Sequence, residues 1–80
     1  MCRVKVSNVA VGLIPAEKFA LIRTINGPEE VAVSGTLISS KGLRAAFIGK
    51  DASRCLIELP NESSSGRRRV WVEAAEISEP

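Results

Sequence analysis

The chain has no histidine and no tyrosine, one aspartate (Asp51), one tryptophan (Trp71) and two phenylalanines. Without histidine there is no Ser-His-Asp or Cys-His arrangement, no imidazole ligand for a metal and no imidazole acid or base. The lone aspartate sits in "GKDAS", where turn chemistry accounts for it. Two cysteines, Cys2 and Cys55, are too few and too far apart for a zinc knuckle or a CxxC redox pair. One disulfide is conceivable, but a reduced chain is the better reading of so sparse a pattern. No apolar run approaches membrane-spanning length, and no signal-peptide h-region is present, so the expected location is the cytoplasm, away from membranes. "GKDAS" and "SSKG" lack the GxxxxGK[ST] spacing of a phosphate loop and read as hairpin turns carrying solvated lysines.

What is present is ordinary for a small globular chain. Of 80 residues, 45% are hydrophobic, and 11 basic residues against 9 acidic ones leave a formal charge of +2. That excess is too small to imply nucleic acid or acidic lipid, so any basic patch is local. A single domain spanning residues 1–80 is expected. Its stability margin is thin, because a chain this short buries only about 60% of its unfolded surface.

β-branched segments alternate with turn signals along the whole chain. In "RVKVSNVAVGLI" (3–14), Val4 and Val6 are followed by Val9, Val11 and Leu13, with a change of phase near Ser7 and Asn8 that predicts a bulge or break. "FALIRTI" (19–25) and "VAVSGTLIS" (31–39) flank "NGPEE". Asn-Gly there favours a type I′ turn, and Pro28 makes the connection less regular. A helix over residues 15–26 is the rival, with Pro15 at its first position and Gly27 past its end, but Ile14 is no cap. Strand is preferred. Residues 74–80 add at most a helical turn before fraying.

The second half predicts a meander of "LRAAFIGK" (43–50), "RCLIEL" (54–59) and "RRRVWVE" (67–73). One antiparallel register sets Arg54 opposite Glu73, Leu56 opposite Trp71 and Glu58 opposite Arg69. On the other face it joins Cys55 to Val72 and Ile57 to Val70. Two opposite-charge pairs, one aromatic–aliphatic pair and a clean apolar face all follow from that register. Ala46 and Ile48 are then expected on the Cys55 face and Phe47 on the Trp71 face. The expected fold is all-β. Its pattern resembles a five- or six-stranded SH3-like barrel, with an OB-type barrel, or an α+β fold if 15–26 is helical, as alternatives.

Function is less legible. No catalytic residue, metal ligand or cofactor is assigned. An enzyme is not expected, except as an oligomer sharing a pocket between copies. Phe47, Leu56, Arg69 and Trp71 form the candidate interface. On one reading the N-terminal strands close over them; on another they meet a second copy or another protein. The alternative is an RNA- or DNA-binding module in which Arg44, Lys50, Arg67, Arg68 and Arg69 meet phosphates while Trp71 or Phe47 stacks on a base. The "SSSG" before the arginines adds backbone N–H groups that an anion could use.

Overall fold

The fold is that of a computed structural model, which describes the backbone of residues 1–79 and the side chains of residues 1–78. It is all-β, with two antiparallel sheets and two short 3-10 turns. The N-terminal strands are β1 (Cys2–Val4), β2 (Val6–Val11), β3 (Glu17–Thr24) and β4 (Gly27–Ser34). They are followed by β5 (Ile38–Ser39), β6 (Gly42–Asp51), β7 (Arg54–Glu58), β8 (Arg69–Glu73) and β9 (Ile77–Glu79). One sheet has the order β8-β7-β6-β1-β9, with β5 also on β6; the other is β2-β3-β4. No strand ladder among the described residues joins the two sheets into a closed barrel.

The sheets pack face to face around one core. Cys2, Val4, Leu43, Ala45, Cys55, Ile57, Val70 and Val72 of the larger sheet meet Ala20, Ile22, Val31 and Val33 of the smaller. Period-two alternation puts these residues inward and their charged neighbours outward. Both thiols lie in this core and are unbridged. Burial pushes the Cys2 thiol above its ordinary pKa, which keeps it protonated and inert.

Residues 17–24 are a strand, not a helix. Phe19, Ala20, Leu21 and Ile22 pair with Ala32, Val31, Glu30 and Glu29 of β4, and the uncapped helix cannot compete with that ladder. The phase change in residues 3–14 is real. The chain breaks at Lys5 between β1 and β2, and the β2–β3 register shifts between Val6 and Asn8. The turn after β3 departs from type I′. Thr24 pairs with Gly27, and Gly27 (φ 109°) takes the positive φ while Asn26 does not. The Thr24 hydroxyl holds the turn by accepting from Asn26 N (3.2 Å) and donating to Gly27 O (2.7 Å). Glycine is also required at position 42, where φ is 117° and the β1 carbonyl of Val4 fills the space a Cβ would need.

The C-terminal segment forms the expected helical turn, a 3-10 turn over Ala74–Glu76, but does not then fray. Residues 77–79 pair with β1, and the Ser78 hydroxyl donates to the carbonyls of Arg3 and Lys41. Pro80 lies outside the described residues. No helix among the described residues is long and apolar enough to cross a membrane.

Candidate interaction face

The β7–β8 hairpin has the register its charges predict. Arg54 pairs with Glu73, Cys55 with Val72, Leu56 with Trp71, Ile57 with Val70 and Glu58 with Arg69. Cys55, Ile57, Val70 and Val72 are buried, so Leu56 and Trp71 stand on the opposite, outer face, each half-buried. Arg54 Nε lies 3.4 Å from Glu73 Oε1 on one side of them. On the other side Arg69 Nε donates to Glu58 Oε2 at 3.1 Å. An apolar pair is thus framed by four charges of alternating sign. The N-terminal strands do not close over it, because the second sheet packs on the Ile57 face.

Phe47 does not join this face. Its partner is Ile57, which turns it to the side that holds the core, and Ala45 rather than Ala46 continues the buried row. A bulge between Phe47 and Gly49 sets Gly49 opposite Leu56 and displaces the phase expected from simple alternation. Phe47 and Ile48 are 46% and 41% exposed. Neither belongs to the buried cluster that the two sheets share.

The basic residues do not converge on one stripe. Arg69 belongs to β8 and is paired with Glu58, whereas Arg67 and Arg68 precede the strand. Arg68 turns back on the chain, its Nε donating to Leu59 O (3.3 Å) and its guanidinium reaching Pro60 O (3.5 Å). Arg67 lies by Glu29, whose carboxyl it helps to hold below the ordinary range. Lys50 pairs with Cys55, on the face away from Arg44. Arg44 stands on the outer face, opposite Arg3 of β1.

Residues 60–68 form a built loop rather than a free serine-rich one. Ser63 bridges to Val31 and is only 5% exposed. Asn61 Nδ2 donates to Ala32 O (2.7 Å), and Ser64 N donates to Glu30 O (2.8 Å). These bonds cover the edge of β4, which would otherwise invite another strand. The carboxylate of Glu29, 8% exposed, accepts from the Ser65 hydroxyl at 2.6 Å. That bond, followed by one from Ser63 and the charge of Arg67, lowers the Glu29 pKa against the opposing effect of burial. Ser63 N, Ser64 N, Gly66 N and Arg67 N all donate within the chain, so "SSSG" has little left to offer an anion.

Glu29 is the structural residue the sequence reading missed. The only available signal was its place in "PEEV", where alternation from Val31 and Val33 turns position 29 inward.

Among the described residues no cluster of three or more Cys, Asp or Glu could hold a metal ion. Comparison with known proteins adds no identity. No family model matches the chain, and no significant match is found among curated proteins or solved structures.

Proposed function

We propose that the chain is a non-enzymatic, cytoplasmic interaction module that associates with its own copy through the outer face of β7 and β8. Its two packed sheets are read as a half-open SH3-like barrel. The hydrogen bond from Ile25 N to Trp71 O (3.0 Å), which ties the β3–β4 turn to β8, supports that reading. The two free, buried cysteines agree with a reducing compartment.

One observation carries the reading: the half-buried, outward-facing Leu56–Trp71 pair between the Arg54–Glu73 and Glu58–Arg69 pairs. Its charge pattern is self-complementary. A two-fold axis lying in the interface along the strands sets Arg54 over Glu73 of the second copy, and Arg69 over Glu58. An in-plane axis across the strands sets Arg54 over Glu58 and Arg69 over Glu73. Either isologous contact matches every cation with an anion and stacks the apolar pairs at the centre. Nucleic-acid binding has less support, since Arg69 is paired, Arg68 is spent on backbone carbonyls and Lys50 faces away.

Sedimentation velocity across a wide concentration range is the test. The wild-type chain is expected to shift from monomer to dimer, and Trp71→Ala to stay monomeric while keeping its β-sheet circular dichroism. A wild-type chain that remains monomeric at high concentration overturns the proposal. A dimer unaffected by Trp71→Ala does so as well. If single-stranded RNA quenches Trp71 emission with steep salt dependence, the nucleic-acid reading replaces it.

A further inference from the structure

Arg3 and Arg44 are directly opposed across the β1–β6 ladder, one row beyond the face described above. Their strand neighbours Cys2, Val4, Leu43 and Ala45 are all buried, so both guanidinium stems rise from the same outer face. Like charges at opposed positions are unfavourable, and the described residues offer little to offset them. Arg3 donates from one guanidinium nitrogen to Leu37 O at 3.2 Å. Arg44 has neither a hydrogen bond nor an ion pair among the described residues.

Two recesses meet at Arg44. One, of about 360 Å³, is lined by Met1, Cys2, Arg3 and Arg44. The other is a cleft of about 410 Å³, with Leu37, Ala45, Ala46, Leu59 and Pro60 for much of its wall and Arg68 also in its lining. The one carboxylate in that lining, Glu58, is held by Arg69. Glu79 is the backbone partner of Arg3 on the far side of β1. The arrangement therefore places an unpartnered guanidinium group, that of Arg44, in the lining of a largely apolar cleft, with Arg3 opposed to it in the adjoining recess.

We infer that this is a binding site for a small organic phosphate: a dianionic head held between Arg3 and Arg44, with an apolar body lying along Leu37, Ala46, Leu59 and Pro60. A phosphate head matches two forked, permanently charged donors, and it offsets the repulsion between two opposed cations. The apolar wall gives the site a preference that a bare cationic patch lacks. Neither arginine belongs to the Leu56–Trp71 frame, and the cleft shares only Glu58 with it.

The test is calorimetric titration of the full chain with hexyl phosphate, inorganic phosphate and hexanol. Hexyl phosphate is expected to bind at one site, and inorganic phosphate and hexanol each at least about tenfold more weakly. Arg44→Gln should weaken hexyl phosphate by about tenfold or more, the scale of one charge-assisted hydrogen bond. Arg67→Gln should leave it unchanged. Absence of saturable binding by the wild-type chain overturns the inference, and so does equal binding by Arg44→Gln. Equal weakening by Arg67→Gln would mean a response to net charge alone, which overturns it too.

Discussion

The β7–β8 hairpin and the β2–β3 arm are both short antiparallel ladders rich in valine, leucine and isoleucine, yet they end in opposite circumstances. In the hairpin, Ile57 and Val72 are fully buried and charges flank the outward apolar pair. In the arm, β3 turns Ala20 and Ile22 into the core, but of β2 and the turn after it only Val6 packs against that core, and Val9, Val11, Leu13 and Ile14 are 46%, 75%, 89% and 60% exposed. Residues 6–16 contain no charge at all. Alternation makes a strand in both places, but burial needs something to pack against. β2 is an edge strand that pairs only with β3, in a molecule 39 Å along its longest axis and 18 Å along its shortest.

The strongest way to break this contrast is to remove the hairpin's anchor. Ile57→Ala takes a fully buried side chain from the middle of the core and should cost about 2–5 kcal/mol, as transfer and cavity effects add. Urea unfolding followed by the emission of Trp71 measures it. A loss under about 1 kcal/mol would mean that the hairpin's match in register is not matched by tight packing.

A smaller effect is expected where the two sheets are tied together. Glu29 on β4 accepts from Ser65 in the loop between β7 and β8, so Glu29→Ala leaves that hydroxyl without its acceptor. The expected cost is about 1–3 kcal/mol at neutral pH. Its pH dependence has a definite sign. The folded carboxyl has a lowered pKa, so its contribution is complete above the ordinary glutamate range and is lost as pH falls through the folded pKa. The stability gap between wild type and Glu29→Ala should therefore narrow in acid. A gap that stays constant or widens there would remove the ionised carboxylate from the explanation.

The hairpin was legible because its register is over-determined. Arg54, Glu58, Arg69 and Glu73 can all find opposite charges in only one alignment that also keeps Cys55, Ile57, Val70 and Val72 together. The bulge in β6 was not legible, since "AAFIG" is apolar on both phases and no charge marks the skipped residue. That single slip moved Phe47 off the predicted face. The arginine run misled for another reason: three identical side chains invite one role, whereas the chain enters β8 only at Arg69 and leaves the other two to the loop. Glu29 was hidden because its partners are more than 30 residues away.

The arm supplies the smallest expected effect and the sharpest reading of the contrast. Leu13, 89% exposed, touches the fold through its backbone N–H, which donates to Glu17 Oε1 at 3.1 Å. Leu13→Ser preserves that bond and removes no buried surface, so stability should change by no more than about 0.5 kcal/mol. Solubility should rise, because an uncharged apolar strip on a small chain promotes association. A loss above about 1 kcal/mol that grows with protein concentration would show that the arm is covered in solution by a second copy. The bare strip of β2 and the framed pair of β7–β8 would then be two isologous surfaces on one chain, and a chain carrying two such surfaces builds tetramers or filaments rather than stopping at a dimer.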